Sequence, residues 1–157
     1  MTRLADDIKR WGRELGFADI GITDTDLSHA EEHHQKWVKK GFHGEMDYMA
    51  KHGTKRTRPA ELIPNTARVI TARLDYLPPK SKDSWQVMND GEQAFISRYT
   101  LGRDYHKVVR HKLQKLCDKI QQATQHVEYR AFTDSAPVLE VALAEKSGLG
   151  WRGKHTL

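Results

Sequence analysis

The sequence predicts an α/β or α+β domain, a central sheet flanked by helices. Segments with apolar residues every three or four positions alternate along the chain with short runs rich in Ile and Val. Glycines stand where the helical patterns run out. The order that results is helix, strand, helix, helix, strand, helix, strand, helix, the alternation expected of a sheet covered by helices. At 157 residues the chain is one ordinary domain, long enough to bury roughly 70% of the surface its unfolded form exposes. It contains no internal repeat and no low-complexity tract.

Leu4, Ile8, Trp11 and Leu15 form the stripe of a first helix, with Gly16 at the C-cap position. FADIGITD carries Phe17, Ile20 and Ile22 among small residues and reads as a buried strand. Ser28 is placed to cap a second helix that runs to about Lys40 and stops at Gly41. GEMDYMAKHG is a short helical or irregular piece, and Pro59 fits a first helical turn. Residues 67–76 are the best strand candidate, ended by Pro78 and Pro79. Residues 80–92 are polar and read as a loop. Tyr105, Val109, Leu113, Leu116 and Ile120 mark one face of a long helix whose other face is Lys, Arg, His and Gln. Cys117 borders that stripe and reads as a core thiol. EYRAFTD predicts a third strand, and 138–146 a last helix with Gly148 as its C-cap.

The net charge of +5, with nine His in addition, suits an anionic partner such as nucleic acid, or simple solubility. Four Trp, five Tyr and four Phe argue against disorder. No apolar run approaches the roughly 20 residues of a membrane helix, and MTRLADDIKRWG has no signal-peptide core. The expectation is a cytoplasmic protein without membrane contact. The single cysteine, Cys117, excludes an internal disulfide and fits a reducing compartment. It also excludes a Cys-only zinc or iron–sulfur site within the chain, which takes about four ligands.

His29 and His33 are four apart in SHAEEHHQKW, with His34 beside them. A zincin helix needs Glu directly after the first His, where this chain has Ala30, so a solvated face is the better reading and no metal site is assigned. No phosphate loop or dinucleotide fingerprint occurs. GRDYHK places Asp104, Tyr105, His106 and Lys107 at the start of the long helix, where unpaired amides and the dipole attract anions. Read alone, Asp104 is a favourable first-turn charge. TDSAPVLE puts Asp134 and Ser135 between a strand end and a helix start, near where ligands bind in α/β sheets. Asp134 is there either an N-cap, the commoner role, or a proton donor with a raised pKa. WRGKHT offers Arg152, Lys154 and His155 on a Gly-rich backbone that either wraps a ligand or frays.

ADIGITD, GEMDYM, RYTLGRDYHK, FTDSAPVLE and GWRGKHT occur together and in this order. In that arrangement the chain closely resembles the N-terminal domain of the epoxyqueuosine reductases, over nearly all of its 157 residues. The resemblance implies a cobalamin-binding domain with a fold like those of cobalamin-processing and nitroreductase-like proteins. It implies the last step of queuosine synthesis: reduction of an epoxide on the modified wobble base of tRNA to an alkene. It implies, further along a full-length protein, a ferredoxin-like module with two [4Fe–4S] clusters and then a helical-repeat segment. This chain carries one cysteine and ends just after GWRGKHTL. The expectation is therefore a single N-terminal domain over 1–157, a fragment without the clusters that relay electrons from a donor, and inactive alone.

By the same resemblance the family's acid falls on Asp134. Removing the epoxide oxygen as water takes two electrons and two protons. Low-valent cobalt would supply the electrons, and Asp134, held protonated in an enclosed, cofactor-covered site, would supply a proton. Tyr105, His106, Ser135, Arg152, Lys154 and His155 are the candidates for lining cobalamin or the modified base, and Met46, Tyr48 and Met49 for walling the substrate side or merely packing their loop. The basic face of Lys107, Arg110, His111 and Lys115 would meet tRNA phosphates, which position a protein without reading sequence. Two other readings are a standalone cobalamin-binding or trafficking module and a flavin-dependent nitroreductase-like enzyme.

Overall fold

A computed structural model describes residues 2–77, 80–125 and 127–154. Seven α-helices and two strands are present among them: α1 Thr2–Glu14, β1 Asp19–Thr23, α2 Ser28–Lys39, α3 Tyr48–Lys51, α4 Pro59–Leu62, β2 Val69–Arg73, α5 Ser84–Met88, α6 Tyr105–Thr124 and α7 Glu140–Lys146. Short 3-10 turns cover Gly53–Arg56 and Arg98–Thr100.

The strands pair antiparallel, with Gly21 opposite Thr71. Alternation splits their side chains between two layers. Ile20, Ile22, Ile70 and Ala72 pack with Ile8 and Trp11 of α1 and with Leu113, Leu116 and Ile120 of α6. On the opposite face Gly21 and Thr71 meet α7, where the Thr71 and Ser147 hydroxyls are 2.6 Å apart. Val69 joins a smaller cluster around Leu27, Ala142 and Leu143. The architecture is α+β: a two-stranded ribbon with α1 and α6 on one face and α7 on the other.

The periodicities place α1, β1 and α6 well, and Gly16 and Gly148 end their helices at φ +84 as C-cap glycines. Other expectations are corrected. Leu27, not Ser28, occupies the cap position of α2; the Ser28 amide is held by Asp26 Oδ1 at 3.0 Å. The second strand is confined to Val69–Arg73. The loop at 80–92 contains α5, whose N-cap Asp83 accepts from the amides of Trp85 and Gln86 at 3.0 Å each. The last helix begins at Glu140 rather than at 138. EYRAFTD forms no strand: it is anchored to α6 through side chains, the Tyr129 hydroxyl donating to Asp118 Oδ1 at 2.6 Å, and not through a backbone ladder.

That return segment positions the site. A helix of 20 residues is about 30 Å long. The chain leaves it at Gln125, in the left-handed region at φ +64. Residues 127–134 run back along α6, tied to it by the Tyr129 hydroxyl on Asp118 and the Tyr105 hydroxyl on Asp134. Asp134 is thereby returned to the start of α6.

Candidate functional site

Asp104, Tyr105, His106 and Asp134 come together where α6 begins. Asp104 Oδ1 accepts from the His106 amide at 3.0 Å, which caps the helix, and stands 3.0 Å from His106 Nδ1. Charge-assisted bonding to His106 holds the Asp104 carboxyl below the ordinary aspartate range. The Tyr105 hydroxyl donates to Asp134 Oδ2, and that carboxylate pushes the phenol up to about 12. His106 Nε2 lies 3.6 Å from the same oxygen. The Tyr105 and His106 rings stack at 4.0 Å between centroids, and Tyr99 meets Tyr105 edge-on at 5.8 Å.

Asp134 is not a helix cap. It has φ +53, and α7 starts only at Glu140. Nor does the chain by itself enclose it: the Asp134 side chain is 47% exposed, so any enclosure has to come from what binds over it. Thr133 Oγ1, one residue away, is buried without a hydrogen-bond partner among the described residues. Glu140, exposed as a residue, has its carboxyl pushed up first by burial and then by the charge of Asp134. Sequence reasoning missed Glu140 because an acidic residue in a first helical turn is ordinarily a dipole partner. Nothing in the pattern marked Thr133 or Tyr99 either.

Ser135 is exposed and helps line a cavity of about 280 Å³ between α6 and the return segment, with Arg110, Gln114, Tyr129, Arg130 and Phe132. Arg152 and Lys154 are exposed at the other end of α7, the Arg152 amide donating to Glu145 Oε1 at 3.4 Å. His155 lies outside the described residues. Met46, Tyr48 and Met49 form a group of their own. The Tyr48 hydroxyl meets Met46 Sδ at 3.4 Å, and Arg56 Nη2 donates to the Tyr48 carbonyl at 2.7 Å. The Arg56 carbonyl accepts from the Leu139 amide at 3.1 Å, which ties this loop to the segment after Asp134; no described hydrogen bond joins the three to Asp134 itself. Lys107, Arg110, His111 and Lys115 are all exposed on α6. Cys117 is half-buried, its thiol pushed up to about 11, mainly by burial.

The family model described as "Epoxyqueuosine reductase QueG, DUF1730" matches residues 56–135, half of the chain, and spans both GRDYHK and Asp134. This chain belongs to the epoxyqueuosine reductase family. An epoxyqueuosine reductase of Pseudomonas aeruginosa is 57% identical over 156 residues, 99% of this chain and 43% of the relative. That of Escherichia coli K12 is 53% identical over 157 residues, 100% of this chain and 41% of the relative. The chain thus spans about two fifths of the length of the curated epoxyqueuosine reductases it matches. Among solved structures, epoxyqueuosine reductase from Streptococcus thermophilus superposes with a TM-score of 0.76 at 22% identity, over 95% of this chain and 40% of that one. An epoxyqueuosine reductase with an epoxyqueuosine-modified tRNA-Tyr stem loop gives 0.77 at 22%, over 99% and 41%. At that identity the likeness establishes the fold, which is the fold of this family.

Proposed function

We propose that residues 1–157 are the cobalamin-binding domain of an oxidoreductase that converts epoxyqueuosine to queuosine in tRNA, and that Asp134 protonates the substrate. The single observation that carries this is the cluster at the start of α6: the family's motif residues Tyr105 and His106 converge on the one carboxylate, Asp134, that the motif designates as the acid. The 57% identity to a protein named epoxyqueuosine reductase supports the same reading. A Bacillus subtilis relative is described with its Asp134 catalytic loop swung out of the active site. Here Asp134 likewise lies in irregular chain between α6 and α7, which supports a loop able to carry an acid in and out.

The residues fit a large, flat, amide-bearing ligand such as a corrin. An aromatic shelf of Tyr99, Tyr105 and His106 stands open beside Asp134, and the buried Thr133 hydroxyl has no partner among the described residues. Tyr105, His106 and Ser135 would hold cobalamin from this side, and Arg152, Lys154 and His155 from the far end of α7. When bound, cobalamin would supply the two electrons that break the epoxide. The chain's own residues do the rest. Tyr105 fixes the carboxyl oxygen, and Asp134, shielded from water when its ligands are bound, would deliver its proton to the departing oxygen. [4Fe–4S] clusters would relay electrons from a donor, and this chain's one thiol, Cys117 in α6, supplies no ligand set for them. Nucleic acid is met by the exposed Lys107, Arg110, His111 and Lys115, with Met46, Tyr48 and Met49 toward the modified base; the solved relative bearing a tRNA stem loop supports that partner. The setting is the cytoplasm. No described helix is long and apolar enough to cross a membrane.

In the intact protein, Asp134→Asn should remove epoxyqueuosine turnover while the absorbance titration with cobalamin is unchanged and FMN gives no saturable change. Full turnover by the variant would refute the assignment of the acid. Saturable binding of FMN in place of cobalamin would refute the cofactor.

A further inference from the structure

The stacked tyrosine and histidine leave the imidazole between two carboxylates. We propose that Asp104, His106 and Asp134 form a proton relay in which His106 returns to Asp134, from solvent, the proton that Asp134 gives to substrate, while Asp104 holds the ring in place. This rests on the reading of Asp134 as the acid and adds to it the question of how the acid is reloaded.

The geometry makes His106 the supplier. Its Nδ1 is 3.0 Å from Asp104 Oδ1, an atom already fixed because it caps α6 through the His106 amide. Ring orientation is therefore tied to the first turn of a 20-residue helix. The other nitrogen, Nε2, faces Asp134 Oδ2 at 3.6 Å. That is too long for a hydrogen bond at rest, yet catalytic contacts of this kind commonly tighten when substrate binds. Tyr105 touches the same oxygen but cannot replace His106. A phenol pushed up to about 12 keeps its proton and serves to anchor the carboxylate. In the open site His106 reaches water, its side chain 51% exposed, and the relay needs the bound cofactor to leave that edge of the ring at water.

The protons balance. Asp134 passes its proton to the substrate oxygen and becomes a carboxylate. The imidazolium transfers the Nε2 proton to Asp134 Oδ2 and becomes neutral, keeping Nδ1–H toward Asp104. Nε2 then takes a proton from water or buffer. The charged and titratable groups around the ring include Asp104 and Lys107 on α6, the latter 4.0 Å from Asp104 Oδ2 and 87% exposed, Tyr105 beside it, Tyr99 from the preceding turn and Asp134 on the return segment; Glu140 at the head of α7 acts on Asp134.

The test uses the intact, cobalamin-loaded protein with epoxyqueuosine-modified tRNA stem loop. His106→Gln should lower kcat roughly 100-fold, the size of a lost proton-transfer step, leave KM unchanged and recover in proportion to added imidazole. Asp104→Ser retains a capping oxygen for α6 but removes the carboxylate; it should shift the pH profile of kcat without unfolding the helix. Independently of turnover, ring nitrogen NMR of the cofactor-free intact protein should find neutral His106 with its proton on Nδ1, and that preference should vanish in Asp104→Ser. A His106→Gln protein with undiminished kcat, a loss that imidazole does not restore, or a neutral ring protonated on Nε2 would each overturn the relay. If Asp134→Asn is inactive while His106→Gln is not, the relay alone falls. If Asp134→Asn stays active, the functional reading itself falls.

Discussion

Asp134 holds its position against a local cost. A non-glycine residue in the left-handed region is disfavoured by about 1 kcal/mol or more, least so for Asp and Asn, and Asp134 is there at φ +53. The Tyr105 hydroxyl bonds the carboxylate that this geometry presents. Glu140 carries a second cost. Its carboxyl is pushed up by burial and by Asp134, so its folded pKa lies above the unfolded one. A group of that kind contributes stability below the unfolded value and loses it as pH rises through the folded one. Glu140→Gln should therefore raise the melting temperature at pH 8 and change it little below about pH 4, the ordinary glutamate range. A variant that melts lower at pH 8 would contradict this origin of the shift. Four members of the site, Asp104, Tyr105, His106 and Asp134, stand in two motifs that the sequence displays openly. Glu140 does not, since its strain exists only where folding buries it and sets it beside Asp134.

Helix α6 carries the site because its other end is locked into the core. Leu116 is 1% exposed and Ile120 7%, both against α1 and the strands. Leu116→Ala should lower unfolding stability by about 2–5 kcal/mol, measured by urea denaturation, with cofactor affinity retained wherever the protein stays folded. α1 is held close to β1 by Gly12, where an added Cβ would overlap the Ile20 side chain. Gly12→Ala should destabilise by about 1–3 kcal/mol through overpacking, although on helix propensity alone it would stabilise. A stabilised variant would show that α1 can shift away. The 3.6-residue stripes made α1 and α6 legible. The third strand was misread because a half-alternating segment looks the same whether a ladder or a helix surface receives it.

The parts of the molecule far from the site are joined by charge. Glu31 on α2 accepts from Thr57 Oγ1 at 2.6 Å and from Arg58 Nη2 at 2.7 Å, with its side chain 14% exposed. Arg58 foremost, then Thr57, lower its pKa to about 2. Here the folded value lies below the unfolded one, so the pairing stabilises above the ordinary glutamate value of 4.5 and is lost as pH falls through about 2. Glu31→Gln should melt lower than the parent at pH 7, with the difference closing by about pH 2; a constant difference across that range would assign the effect to packing instead. The sequence by itself determined the helices with a buried stripe, the glycines that end them, the two motifs and the family they denote, because each is set by contacts or spacings within a few residues or one turn. Only the tertiary structure decided that the sheet has two strands, that Asp134 is free of any helix and half open to water, and that His106 stands between two carboxylates. Those outcomes depend on where the return segment along α6 lays its side chains, and no local pattern of residue types encodes the distance between the ends of a folded path.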